Sequence, residues 1–175
     1  MINCDLLIVT APYTETNYPL QAPAIIKASV IKNGYTASTF DINNDFLQME
    51  NEDAEGFAWL KNFFMYGTME DKTKIHLAES YVRYMAEKVL NKFSPKFIAV
   101  SVFTYQCQTF SEMFAEAIKS MDPNISIVFG GQGIMTQGIN ASDGWVKTLR
   151  KSKVIDHYIV SEGERAILDL LKTGK

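Results

Sequence analysis

Cysteine is scarce in this chain. Cys4 and Cys107 are the only two, they lie far apart, and no C-x-x-C occurs. That excludes a disulfide framework and a thiolate metal site, and it matches cytosolic usage, so a cytoplasmic location is expected. Histidine is equally rare. His76 falls in a helical pattern and His157 at the start of a strand, and both are expected to face solvent rather than a metal. No apolar run is long enough to cross a bilayer, and Met1–Asp5 has neither the basic start nor the apolar core of a signal peptide. A membrane partner is therefore not expected. Excess positive charge is missing too: 17 Lys and Arg stand against 20 Asp and Glu, for a formal net charge of −3. Without a basic patch, nucleic acid is not an expected partner.

What is present is apolar and alternating. Hydrophobic residues make up 47% of 175, and a chain of this size buries roughly 70% of the surface its unfolded form exposes. One domain, residues 1–175, with an ordinary core follows. Near-continuous apolar runs at Asp5–Thr10, Lys96–Val102, Ile125–Phe129 and Asp156–Ser161 read as parallel strands covered on both faces. Tyr35–Asp41 is a more polar strand, suited to an edge. Helical patterns stand between them. Leu20 to Asn33 ends at Gly34. Lys72 to Asn91 carries the stripe Ile75, Ala78, Val82, Met85 and Val89, broken by Ser94-Pro95. Thr109–Glu112 has capping-box spacing before a helix to Met121, with Phe110, Phe114, Ala117 and Met121 inward. Ser142 to Lys151 is a short helix around Trp145 and Leu149, after a loop from Gln132 to Ala141. Ser161–Glu164 again has capping-box spacing and opens a last helix through Leu171, after which the chain simply stops. Alternating strands and helices predict an α/β, doubly wound, parallel five-stranded sheet, flavodoxin-like in strand order 2-1-3-4-5.

Residues 42–71 do not fit a simple connection. An acidic patch (Glu50, Glu52, Asp53, Glu55) precedes aromatics (Phe57, Trp59, Phe63, Phe64, Tyr66). The segment is expected to be a helical insertion after strand two. Its aromatics pack either on the domain's own core or outward as a lid or docking face, and its acids form a solvated face.

The chemistry is expected where strands end. Ile125-Ser-Ile-Val-Phe-Gly-Gly-Gln-Gly133 runs a β-branched strand into three glycines, and in open parallel sheets ligands bind at the carboxyl edge. A dinucleotide fingerprint is excluded, because Thr10-Ala-Pro-Tyr-Thr14 after the first strand has no glycine. A phospho-acceptor domain is excluded as well, since no aspartate ends strand three. A flavodoxin phosphate loop finds the hydroxyls of Thr10, Thr14 and Thr16 but no glycine.

An ordered set of short pieces carries a resemblance. It comprises a proline-flanked loop after strand one, Asn33-Gly34-Tyr35, Asp41, Ile98-Ala-Val-Ser101 before a helix, Pro123 followed by Val128-Phe-Gly-Gly131, and Asp156-His-Tyr-Ile-Val-Ser-Glu-Gly-Glu164. Together, over nearly the whole chain, these resemble the cobalamin-binding domain at the N-terminus of B12-dependent radical SAM enzymes. The resemblance implies cobalamin as cofactor and partner, held at the sheet edge. Ser101 and Thr104 would donate hydroxyl hydrogen bonds to it, or else merely cap the following helix. Gly130 and Gly131 would admit the nucleotide tail beside strand four, or else form only a tight turn. Ser161, Glu162, Gly163 and Glu164 would meet a polar cofactor group at the last helix, cap that helix, or do both. Pro12, with Tyr13 or Tyr105, would lie near the ring plane, and Gln132 near the strand-four end.

Two departures qualify the resemblance. The Asp-x-His-x-x-Gly motif of other cobalamin domains is missing, so no histidine cobalt ligand, and no protein metal ligand, is expected here. No C-x-x-x-C-x-x-C is present either, so the [4Fe–4S] cluster and S-adenosylmethionine would belong to a catalytic barrel beyond Lys175, in cis or in trans. The chain is then the non-catalytic cofactor domain of a radical SAM enzyme, methyltransferase-type by preference. Two other functions stay open. One is a cofactor-free binding module whose groove is filled by Phe103, Tyr105 and Gln132. The other is a flavin-binding, flavodoxin-like protein.

Overall fold

The computed structural model describes residues 1–12, 20–67, 72–135, 145–160 and 162–174. Five strands form one parallel sheet: β1 (Ile2–Thr10), β2 (Ala37–Asp41), β3 (Phe93–Ser101), β4 (Ser126–Gly130) and β5 (His157–Ile159). Their order is β2-β1-β3-β4-β5, so the chain reverses direction across the sheet between β1 and β3. Register is pinned by side-chain alternation, since a one-residue slip would turn the buried set of each strand outward. Leu7, Ile98 and Ile127 form one row, and Ile8, Ala99 and Val128 form the next, on the opposite face.

The two faces are covered unequally. One carries α1 (Gln21–Lys32) and α7 (Gly163–Thr173), from the two ends of the chain, over a small core of Leu6, Ile8, Val30, Val128, Ile167 and Leu170. The other carries α2 (Ile42–Glu52), α3 (Ala54–Tyr66), α4 (Ile75–Lys92), α5 (Gln108–Met121) and the short α6 (Val146–Leu149) over a much larger core.

The segment from 42 onward is a helix pair. Asp41 ends β2 and at once caps α2, its carboxylate accepting from Asn44 N at 3.2 Å, while Asp53 caps α3 through Gly56 N at 2.9 Å. Its aromatics turn inward: Phe57, Phe63 and Phe64 are buried against Phe46, Tyr81 and Phe110, with Tyr66 exposed. The packing is thus on the domain's own core. The acidic residues Glu50, Glu52, Asp53 and Glu55 are exposed.

Several local expectations need correction. Ser94-Pro95 does not separate helix from strand, because α4 ends at Lys92 and β3 begins at once with Phe93. Pro95 is tolerated because β3 pairs only with β1 there, and β4 joins from Phe97 onward. Ile75 is 37% exposed, so the inward stripe of α4 starts at Ala78. The helix after β3 begins at Gln108, preceded by a 3-10 turn (Tyr105–Cys107) that Thr104 caps. The Thr109–Glu112 spacing is therefore not its cap. Glu112 instead accepts a hydrogen bond from the indole of Trp145. A 3-10 turn spans Gln132–Ile134, and Trp145 and Leu149 are buried as expected, while 136–144 lie outside the described residues. The last helix does not stop at Leu171. It runs to Thr173 and ends on Gly174 in the left-handed conformation, whose N–H bonds Leu170 O at 2.8 Å.

Candidate functional site

The carboxyl edge brings five strand ends together. Across it the register runs Asp41, Thr10, Ser101, Gly130 and Ile159, one residue from each strand. Residues paired in register point to the same face. This row shares its face with Ile8, Ala99 and Val128, the face under α1 and α7.

Between those two helices and the sheet lies an apolar slot of about 220 Å³. Ile8, Ala99 and Val128 form its floor, Ala22, Pro23, Ile25 and Ile26 of α1 one wall, and Ile167 of α7 the other. Ser101, Gly130 and Gly131 stand at the strand ends, and Glu162, Gly163 and Glu164 where α7 begins. The slot exists because only two helices cover this face and small residues line its mouth. A Cβ at Gly130 would meet nothing nearer than Ile159 Cβ at 4.0 Å, and one at Gly163 would reach Ile26 Cδ1 at 3.2 Å. Glu162 occupies the N-cap position of α7 without a side-chain hydrogen bond. The first-turn N–H groups of a helix carry partial positive charge, so polar groups are favoured beside them.

The turns behind the edge are held by backbone contact. Gly131 has φ +109°, and a Cβ there would lie 2.5 Å from Val102 O. Gly133 N donates to Val102 O at 2.9 Å, and a Cβ on Gly133 would lie 2.6 Å from Thr104 O. These two glycines dock the β4 turn onto the β3 turn, whereas Gly130 leaves the slot open. Beneath the β3 turn, burial pushes the Cys107 thiol pKa up, so the thiol is held neutral and packs as an apolar group.

Of the residues singled out from sequence, Ser101, Gly130, Gly131, Glu162, Gly163 and Glu164 converge on the slot. Thr104 does not line it; its Oγ1 accepts from Gln106 N at 3.3 Å and caps the 3-10 turn. Pro12 is buried next to the end of β1. Tyr105 and Gln132 are exposed, as is Phe103 at 40%, and none of the three lines the slot. Tyr13 and Ser161 lie outside the described residues. His157 opens β5 at the end far from the carboxyl edge, and His76 sits on α4, its Nδ1 2.8 Å from Thr73 O. Among the described residues no three His, Cys, Asp or Glu group to hold a metal ion, and no helix is long and apolar enough to cross a membrane.

The α1 wall and Ile167 escaped the sequence reading. A signal was present in α1: Ala22-Pro-Ala-Ile-Ile26 is apolar on more than one side, and Ile25 remains 49% exposed. A helix with apolar residues beyond its core stripe has something else to cover.

No family model and no curated protein matches this chain. Among solved structures it is similar to the radical S-adenosylmethionine methyltransferase TsrM from Kitasatospora setae, solved with tryptophan substrate and a SAM analogue bound. The similarity has a TM-score of 0.50 at 13% identity and covers 96% of this chain. The chain spans about a quarter (25%) of the length of that enzyme. At this identity the likeness establishes a related fold and nothing finer; the order 2-1-3-4-5 is read from this chain's own sheet.

Proposed function

We propose that this chain is a cobalamin-binding domain of the kind that accompanies a radical SAM catalytic domain. It would hold the corrinoid at the carboxyl edge of its sheet and supply no histidine to cobalt. The observation that carries this reading is the apolar slot between α1 and α7, which opens at that edge through a glycine-lined mouth.

The residues present fit the cofactor. Its nucleotide tail ends in a flat aromatic base, which suits a narrow slot floored by Ile8, Ala99 and Val128. The ring itself needs a broad, low shelf, and on this reading it lies at the strand ends beside Ser101 and Gly130; Phe103, Tyr105 and Gln132 do not line the slot beneath. The start of α7, where Glu162 makes no side-chain cap, offers N–H groups to a polar part of the cofactor. With His157 at the far end of β5 and His76 on α4, neither imidazole belongs to this edge. In this role the chain grips and orients, the bound corrinoid supplies the cobalt chemistry, and S-adenosylmethionine and the iron–sulfur cluster belong to a further domain. The activity of the solved enzyme, a radical SAM methyltransferase, supports a methyl-transfer setting.

The test is direct. Purified protein is mixed with hydroxocobalamin, desalted, and its visible spectrum recorded, then again with methylcobalamin. The expected result is a corrin spectrum that travels with the protein. Gly130→Leu, which fills the slot from a position with open space around it, is expected to stay folded and lose that spectrum. Colourless wild-type protein with both cobalamins overturns the reading.

A further inference from the structure

Strand β2 is an outer strand, with β1 as its one neighbour in the sheet. Thr36 O accepts from Leu6 N at 3.1 Å, and the pairing with β1 then runs without a bulge from Ala37 to Asp41. Along such a ladder successive residues turn their backbone groups alternately to one neighbour and the other. Thr36, Ser38 and Phe40 therefore bond to β1, and Ala37, Thr39 and Asp41 turn their N–H and C=O groups outward. Outer strands are usually blunted by proline, lysine or a bulge, and β2 holds none of these. The outer strand on the other side, β5, is only three residues long, which protects it.

Beside this edge lies an open groove of about 640 Å³. Ile2 of β1, Phe40 of β2 and Tyr84, Glu87, Lys88 and Lys92 of α4 line it. It belongs to the face opposite the slot, because Phe40 is in register with Val9, whereas Ile8 floors the slot. The patch holds a hollow and also protruding apolar side chains, with Tyr84 55% and Ile2 48% exposed. It carries charges of both signs: Glu87 stands beside Lys88 and Lys92, and the Lys92 ammonium lies 5.7 Å over the Phe40 ring. A surface that offers hollow and knob, backbone donor and acceptor, and both charges matches a rotated copy of itself, which is what a two-fold interface needs.

We infer that the β2 edge and its groove form an interface whose partner is a second copy of this chain. The outward backbone groups of Ala37, Thr39 and Asp41 are symmetric about Thr39. Set antiparallel to itself there, β2 pairs Thr39 with Thr39 and Ala37 with Asp41, so no like charges oppose across the strands. The two sheets become one, and the α4 helices run antiparallel on one side of it, with Glu87 of each copy toward Lys88 and Lys92 of the other. The inference is independent of the cobalamin reading, since the slot lies on the other face.

The experiment is sedimentation equilibrium on the full chain, wild type beside Thr39→Pro and Tyr84→Glu, each checked for folding by thermal melt. Thr39→Pro removes an outward N–H and leaves the bonds to β1 in place. Tyr84→Glu replaces an exposed apolar knob with a charge. At about 100 μM wild type is expected at twice the chain mass of 19.7 kDa, with the dimer dissociation constant raised about tenfold or more in each variant. Should Thr39→Pro fail to fold, loss of the dimer in folded Tyr84→Glu sustains the inference. Wild type that stays monomeric overturns it and leaves the groove to a partner of another kind. A wild-type dimer that the folded variants leave unchanged overturns it too, because the copies then meet through a different surface.

Discussion

Asp5 ties the amino end of the sheet together, opposite the proposed site. Its carboxylate accepts from Lys96 Nζ at 2.7 Å and from Thr36 N and Oγ1 at 2.9 and 2.7 Å. Lys96, then Thr36, hold its pKa down at about 2, below the ordinary 3.8. A lowered pKa contributes stability that is present above the unfolded value and lost as pH falls through the folded one. Asp5→Asn is therefore expected to flatten the acid dependence of stability between about pH 4 and pH 2, read by denaturant melts across that range. Glu112 has the opposite sign. Burial raises its pKa, against the lowering effect of the Trp145 indole, so its contribution is full below 4.5 and lost as pH rises through the raised value. Glu112→Gln keeps an acceptor for the indole and removes the buried charge. Its stability relative to wild type is expected to improve from pH 4 to pH 8 in the same melts. Tyr81 carries a buried hydroxyl without a partner among aromatic rings, so Tyr81→Phe is expected to be neutral or stabilising, within about 1 kcal/mol.

Elements were more legible than their ends. Four of the strands and the helices α1, α4, α5 and α7 have their apolar pattern in the sequence, since periodicity is a local property, whereas α2 and α3 were read only as one helical insertion. Boundaries moved where capping depended on what lay nearby: Thr104 starts the turn before α5, and Asp41 serves both β2 and α2. The direction in which the α2–α3 aromatics face was not legible either, because inward and outward stripes look alike until a partner surface exists. That packing matters for the edge, since α3 lies against the Tyr105–Cys107 turn as well as α4 and α5. Phe64, fully buried against Phe46 and Phe110, is expected to cost about 3–5 kcal/mol when changed to Ala, measured by chemical denaturation. Gly131→Ala is expected to destabilise by a few kcal/mol, through both its positive φ and the approach of Val102 O.

At the scale of the whole molecule, a ligand that binds only the folded chain raises its melting temperature. Hydroxocobalamin at about a hundred times its dissociation constant is expected to add about 2.7 kcal/mol, read as a thermal shift that Gly130→Leu abolishes. The order 2-1-3-4-5 and the carboxyl edge followed from the alternation of strands and helices and from the glycines after β4, both written locally in the chain. The slot did not. Its walls, α1 and α7, come from opposite ends of the sequence, and its floor from three strands. No local pattern says that Ile26 will face Gly163, or that Thr10 will stand in register with Ser101. Strand and helix identity come from short-range sterics and periodicity. A cavity exists only where packed elements fail to meet, and that is decided by the tertiary arrangement alone.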